Sequence, residues 1–233
     1  MTRRDLMRLH VEALFTHDTH GDLVAVNEPH GSPAPRFFVG RTEDGIILRF
    51  RREVDVDLRH ELEAAARSHL LDKRLDEPCD TTRYSVILGR SAPVEHVWAG
   101  PAFCFPVALS ESTRAAHITA ITEANADLLA SHFQDWMRDV ARCQPMLGML
   151  VDGSVVSLCC SVRRTELADE AGAETAVPYR GRGYASHVTV AWADAVREHD
   201  RVPLYSTSWA NAASRAVALK AGLLLIGADL HFT

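Results

Sequence analysis

The chain has 233 residues, of which 47% are apolar and 24% charged, and its formal charge is -6. This balance is typical of a soluble globular protein and excludes an intrinsically disordered chain. The negative charge gives no general electrostatic reason to bind nucleic acid, and no run reaches the roughly 18 apolar residues of a membrane helix. We therefore expect neither a nucleic-acid nor a membrane partner.

Cysteine usage indicates a reducing compartment. The five cysteines include no CxxC pair, so the sequence predicts neither a disulfide framework nor a thiolate zinc site. Histidines and acids between residues 17 and 30 match no recognised zinc spacing, and we predict no metal site. The N-terminal segment lacks the apolar region of a signal peptide. We expect a cytoplasmic protein.

The first half of the chain, residues 1–110, is predicted to form an α+β module. A turn containing Asp44 and Gly45 between two apolar runs is typical of a β-hairpin. In chain order the predicted elements are a helix over 3–16, a strand over 23–26, hairpin strands over 37–39 and 46–50, a helix over 57–68, and strands over 84–88 and 95–99. No catalytic signature falls in this module. Substrate selection, a lid and a homodimer surface stay open as its role.

The second half, residues 111–233, has a more regular pattern. Apolar positions at helical spacing predict one amphipathic helix or two short ones over 125–142. The elements that follow are a hairpin over 146–151 and 155–162, a strand over 173–177, a helix over 184–198, a strand over 203–208, a helix over 212–221 and a strand from 223. The helix over 184–198 is predicted to bury Val188, Val190, Trp192 and Val196.

A glycine-rich segment, Val177 to Ala185, joins a predicted strand to a predicted helix. Glycines let backbone N–H groups approach a phosphate, and the start of a helix adds unpaired donors and a positive dipole end. Arg180 and Arg182 add positive charge, so the segment predicts a pyrophosphate site. A Rossmann turn would carry a third glycine and a P-loop would carry Gly-Lys-Ser/Thr. A module that binds ATP or NAD is therefore a disfavoured alternative.

The same segment resembles a known family signature. Arg180-x-x-Gly183-x-Ala185 is similar to the Arg/Gln-x-x-Gly-x-Gly/Ala pattern of the GNAT superfamily of acyltransferases. Downstream, residues 204–209, 211–214 and 220–223 resemble the second GNAT signature, a strand followed by Asn-x-x-Ser/Ala and then Lys-x-Gly-hydrophobic. The resemblance covers roughly residues 116–233.

The resemblance implies an α/β (α+β) fold with a mixed, mostly antiparallel sheet flanked by helices. It also implies an N-acetyltransferase that moves an acetyl group from acetyl-CoA to an amine of a small molecule or protein by direct attack, without a metal. The strand before the turn would splay from the next strand and admit the pantetheine arm. The residues implied to bind the coenzyme are Ala176, Val177, Arg180, Gly181, Arg182, Gly183, Tyr184, Ala185, Asn211 and Ser214.

Direct attack requires a base that accepts the ammonium proton. The acids nearest to the implied strand are Glu170 and Glu174, and their spacing of four puts both on one face of that strand. We favour Glu174 as the base.

Two departures from the family pattern bear on activity. Many GNAT enzymes carry a tyrosine where this chain has Ala218, so the thiolate would take its proton from Ser214, a hydroxyl of Tyr205 or Ser208, or water. A protein that binds acyl-CoA as a sensor, without turnover, is therefore the alternative. The usual seventh strand is also missing after the last predicted strand, unless the N-terminal module or a partner supplies it.

Overall fold

The computed structural model describes residues 1–29, 31–68, 74–107 and 117–233. In chain order the helices and strands are α1 (Arg3–Leu14), β1 (Phe15–His17), β2 (Leu23–Val26), β3 (Phe37–Thr42), β4 (Gly45–Phe50), α2 (Val56–Ser68), α3 (Thr82–Gly89), β5 (Val97–Cys104), β6 (Ile118–Ala120), β7 (Met146–Val151), β8 (Ser154–Arg164), β9 (Ala168–Thr175), α4 (Tyr184–Arg197), β10 (Val202–Ser206), α5 (Ala212–Lys220) and β11 (Leu224–Phe232). Short 3-10 helices cover Glu123–Leu129, Gln134–Asp139 and Val177–Tyr179.

The chain divides into two compact units that do not follow chain order. The first unit contains Met1–Phe103, Ser206–Asn211 and Leu225–Thr233, and the second contains Cys104–Tyr205 and Ala212–Leu224. The predicted module boundary near residue 110 lies outside the described residues. Each unit has strands flanked by helices, which confirms the predicted α/β class.

In the first unit, the sheet strands follow the order β4-β3-β11-β5. β3 and β4 form the predicted hairpin, with Thr42 opposite Gly45. β11 pairs antiparallel with β3 from Ala228 opposite Arg41 to Phe232 opposite Phe37. One edge of β11 is therefore covered by a strand of the N-terminal half.

Aromatic rings form the core of the first unit. Phe37 stacks on Phe50 with ring centroids 4.9 Å apart, and Tyr84 meets both Phe37 and Phe232 edge-on at 5.5 Å. Offset and edge-to-face contacts of this kind add to the free energy gained from burial. They tie the hairpin, α3 and β11 to one core.

The prediction of a strand over 84–88 is wrong, because these residues lie in the helix α3. The run contains β-branched residues that favour strands. However, the helix buries Tyr84, Ile87 and Leu88, which have helical spacing, and leaves Val86 64% exposed. Asp80 accepts a hydrogen bond from the Thr82 N–H at 2.9 Å and thereby satisfies a donor at the start of the helix.

In the second unit the strand order is β10-β9-β8-β7-β6. β10 runs parallel to β9, whereas the remaining neighbours are antiparallel, so this sheet is mixed and mostly antiparallel as predicted. The predicted helical segment over 125–142 forms two 3-10 helices. The helix α4 buries the four predicted residues, Val188, Val190, Trp192 and Val196.

The strand predicted over 173–177 begins earlier in the structure, at Ala168. The beginning of the strand contains two acids, Asp169 and Glu170, which are buried although a polar stretch favours a loop. The Asp169 carboxylate accepts a hydrogen bond from the Ser161 hydroxyl at 2.6 Å and lies 3.2 Å from Arg201 Nε. Burial raises the pKa of Asp169, while Ser161 and Arg201 act in the opposite direction. Such partners allow a polar sequence to lie inside a sheet.

A buried polar cluster links the N-terminal helix to the last strand within the first unit. The carboxylate of Asp229 lies 2.7 Å from His231 Nε2 and 3.4 Å from His10 Nε2. Burial works to raise the pKa of Asp229, but the two histidines outweigh it and lower the pKa below its ordinary value.

Replacing Asp229 with Asn is expected to reduce the free energy of unfolding by about 3 kcal/mol at neutral pH, because both imidazoles lose a charged partner. A lowered folded-state pKa means that this contribution is present above the unfolded value of about 3.9 and is lost as the pH falls through the folded pKa. Urea unfolding curves of the wild type and D229N should therefore converge in acid. Asp135→Asn, at a side chain that is 98% exposed, is the control and should be unchanged; a loss independent of pH would contradict this account.

Candidate functional site

The parallel pairing of β9 and β10 ends after three residues. Val202, Pro203 and Leu204 lie opposite Ala168, Asp169 and Glu170. Beyond these pairs β9 continues to Thr175 and β10 to Ser206, with no further pairing between them among the described residues. β9 keeps its other partner, β8, as far as Thr175 opposite Ser157. The edge of β9 that faces β10 is therefore open beyond Glu170, as the splayed strands of the implied fold require.

The turn after β9 is built on glycines with left-handed backbone. Gly181 has φ +76° and Gly183 has φ +84°, conformations that side chains disfavour. Gly183 is the N-cap of α4 and provides no side chain to bond the first N–H groups of the helix. Those donors and the positive end of the helix dipole are consequently available to an anion.

The two arginines of the turn donate to the backbone of the loop before it. Arg180 Nε donates to the Thr175 carbonyl at 3.1 Å, and Arg182 donates to the Pro178 carbonyl at 3.4 Å. The Arg182 guanidinium also lies 5.3 Å from the centre of the Tyr179 ring. Each guanidinium has five donors, so these contacts hold the arginines over the turn and leave further donors for a ligand.

The charge of this turn is not balanced by nearby acids. Among the described residues, neither Arg180 nor Arg182 forms an ion pair, and the first turn of α4 contains no acidic residue. An anion would therefore gain the attraction of both guanidinium groups and of the helix end.

The other residues of the second unit implied to bind coenzyme in the segment 176–185 lie within or next to this turn. The Ala176 N–H donates to the Val156 carbonyl at 3.0 Å, and the Ala176 carbonyl accepts from Tyr179. Val177 is exposed, and Tyr184 and Ala185 begin α4. Asn211 belongs to the first unit, where its N–H donates to the Ser208 carbonyl at 3.0 Å.

The two candidate acids differ in environment. Glu174 is exposed, and its Oε2 accepts a hydrogen bond from the indole N–H of Trp136 at 2.9 Å. Glu170 is only 2% exposed, and its charge helps to raise the pKa of Tyr205. A substrate can therefore reach Glu174 from solvent, whereas Glu170 is buried at the last residue pair between β9 and β10.

Ser214 is joined to a second hydroxyl. The Tyr205 hydroxyl lies 2.6 Å from Ser214 Oγ, so the phenol on β10 contacts the first turn of α5. Burial raises the pKa of Tyr205 to about 12, although the Ser214 hydrogen bond acts in the opposite direction. Ala218, at the position of the common family tyrosine, is buried one turn further along α5.

Two residues at this site, Trp136 and Lys220, are not assigned a role from the sequence alone. Trp136 comes from a distant 3-10 helix, and no sequence pattern links it to Glu174. Tyr205 was named only as one of several hydroxyls. Lys220 belongs to the second family signature, which is the one sequence pattern that singles this residue out. In the structure its ammonium group lies beside Gly183.

Neither metal ligands nor membrane spans were found in the part of the chain that the structure describes. No cluster of three or more His, Cys, Asp or Glu side chains there is placed to bind a metal ion. No described helix combines the length and the apolar character needed to cross a bilayer.

No protein-family model matches the chain, and no curated protein matches its sequence significantly. Its structure is similar to an acetyltransferase from the GNAT family of Colwellia psychrerythraea, with 11% identity and a TM-score of 0.51 over 100% of this chain and 97% of that one. A GNAT-family protein from Novosphingobium aromaticivorans is 19% identical, with a TM-score of 0.49 over 60% of this chain and 65% of that one. This chain thus spans just under two thirds of that protein.

A third similar structure is a tandem GNAT protein from the clavulanic acid biosynthesis pathway, which is 12% identical, with a TM-score of 0.45 over 88% of this chain and 81% of that one. The similarity to the Colwellia protein confirms the predicted GNAT-type fold. At such low identity it concerns the fold alone.

Gly183→Val is expected to weaken acetyl-CoA binding about tenfold or more, because a branched side chain opposes the left-handed backbone and covers the turn. Gly153→Val is a matched control, since Gly153 has φ +78° in the turn between β7 and β8. Both variants should lose similar stability, of about 1–2 kcal/mol, and only G183V should lose affinity in calorimetric titration. Unchanged affinity in G183V would discredit the site.

Proposed function

We propose that the protein is an N-acetyltransferase that moves the acetyl group of acetyl-CoA to an amine. The observation that carries this proposal is the early end of the β9–β10 pairing directly before a positively charged glycine turn. An extended arm with amide groups fits along the open edge of β9, and a diphosphate fits at the start of α4.

Backbone donors and two arginines of the turn would hold the diphosphate. The chain supplies N–H groups at Gly183 to Ala185 and the guanidinium groups of Arg180 and Arg182. The Val177 N–H makes no hydrogen bond within the described residues and is available to the pantetheine arm. When bound, acetyl-CoA supplies the thioester that the amine attacks.

Glu174 is the proposed base. Its Oε2 is held by Trp136, and its Oε1 accepts no hydrogen bond from the described residues. The amine nitrogen forms a bond to the thioester carbonyl carbon, the carbon–sulfur bond breaks, and the proton lost from nitrogen passes to Glu174 directly or through water. N–H groups of the open strand would stabilise the oxyanion. Glu170 is a weaker candidate, because its burial limits access.

Ser214 and Tyr205 are proposed to stabilise the leaving thiolate. A phenol with a pKa of about 12 holds its proton at neutral pH, and an ordinary thiol has a pKa of about 8.5. The hydroxyl pair therefore acts chiefly by hydrogen bonding, and the thiolate takes its proton from the pair or from water. In this chain the phenol of Tyr205 reaches Ser214 from strand β10. The tyrosine that many family members carry would instead extend from α5, at the position of Ala218.

A sensor that binds acyl-CoA without turnover is the second candidate, supported by the buried Ala218 at the tyrosine position. Calorimetric titration with acetyl-CoA, with ATP and NAD as controls, followed by thiol release over a panel of amines, separates the candidates. Binding with thiol release supports the enzyme, and binding with no release over the panel supports the sensor. Preference for ATP or NAD, or no binding, would overturn both.

Glu174→Gln is expected to lower kcat by about 10²–10⁴, because the amide cannot accept the proton, while acetyl-CoA affinity stays near wild type. Glu166→Gln, in the exposed turn between β8 and β9, is the matched control and should keep full activity. Steady-state thiol release with saturating acetyl-CoA measures both. Wild-type kcat in E174Q would exclude Glu174 as the base.

Tyr205→Phe is expected to lower kcat about tenfold at unchanged acetyl-CoA affinity, because it removes a hydrogen bond of roughly 1 kcal/mol or more from Ser214. Ser214→Ala should have a similar effect, and the double variant should lose little more than either single variant, since the two hydroxyls act together. Fully multiplicative losses would show that the two residues act separately.

A further inference from the structure

Lys220, the last residue of α5, brings its ammonium group next to the glycine turn of the second unit. A Cβ atom placed on Gly183 would collide with Lys220 Nζ and would come within 3.2 Å of Lys220 Cε. The backbone of Gly183 is therefore in direct contact with the end of the lysine chain. The end of one helix and the start of another meet at this point, with a cation between them.

The Lys220 ammonium has no partner in the part of the chain that the structure describes. Among the residues that the structure describes, it forms no ion pair and no hydrogen bond, and Lys220 is an exposed residue. By contrast, Arg180 donates one hydrogen bond to the Thr175 carbonyl, and Arg182 donates one to the Pro178 carbonyl. An ammonium carries three donors, and all three of Lys220 are available to a ligand.

Among the described residues, the charge around the start of α4 is positive only. The start of α4 has a positive dipole end, and the nearby side chains Arg180, Arg182 and Lys220 are all cationic. No acid lies in the first turn of α4 to offset them. A bound polyanion would therefore be attracted by the start of α4 and by these three side chains.

We propose that Lys220 closes over the diphosphate of acetyl-CoA and contacts it from α5, opposite the N–H groups of α4. This inference rests on the proposed function and adds a residue that determines affinity for the phosphorylated ligand. Lys220 binds the diphosphate and takes no part in proton transfer. Glycine at position 183 permits the left-handed backbone of the turn, and it leaves space for the end of the Lys220 side chain.

Calorimetric titration of the full chain with acetyl-CoA tests the contact. Lys220→Met keeps the length of the side chain and removes its charge, and it should weaken binding about tenfold. Lys220→Arg should stay within about threefold of wild type, because the charge is retained. Arg215→Met removes an exposed cation from the same helix and is the matched control, which should bind as wild type does.

The same titrations with the acetyl thioester of dephospho-CoA, which lacks the 3′-phosphate, identify the group that is contacted. A loss of about tenfold in K220M with both ligands supports a diphosphate contact. If the loss disappears with the dephospho ligand, the assignment to the diphosphate is wrong. Wild-type affinity in K220M, or an equal loss in R215M, would overturn the inference while the proposed function stands. Absence of acetyl-CoA binding in the wild type would overturn both.

Discussion

The short parallel pairing between β9 and β10 is the constraint on which the rest of the site depends. Backbone groups in a sheet normally find partners on both edges, and leaving them open away from water is costly. β9 remains paired with β8 along its length but has β10 beside it only as far as Glu170. The open edge leads directly into the glycine turn. A ligand with amide groups and a diphosphate satisfies both features at once.

The turn itself combines conformational and electrostatic demands. Left-handed backbone at Gly181 and Gly183 exposes N–H groups, and the arginines are held over the turn by carbonyl groups that also fix its shape. These cations form no ion pair among the described residues, so a polyanion would gain their attraction. In the same unit, Trp136 donates to one oxygen of Glu174, and the Tyr205 and Ser214 hydroxyls lie 2.6 Å apart. The proposed anion site and the proposed proton-transfer groups thus lie on different elements of one unit.

Local signals made much of this predictable from the sequence. The Asp-Gly turns at residues 44–45 and 152–153 predict both hairpins, and apolar positions at helical spacing predict α1 and α4, because these patterns depend on neighbouring residues. Residues 84–88 were misassigned because an apolar run fits a strand or a helix, and the decision came from packing against distant rings. The contacts between Trp136 and Glu174, which are 38 residues apart, and between Lys220 and Gly183 depend on tertiary placement that no local pattern contains. The pairing of β11 with β3 is likewise a long-range choice.

Hydrogen exchange of backbone amides, compared with and without acetyl-CoA, reports where the ligand contacts the backbone. If acetyl-CoA lies along the open edge and the glycine turn, exchange should slow in three places: the open part of β9 beyond Glu170, the N–H group of Val177, and the first turn of α4 at residues 183–186. Amides in the hairpin of β3 and β4 should be unchanged. Protection confined to other segments, or none at saturating acetyl-CoA, would contradict the account.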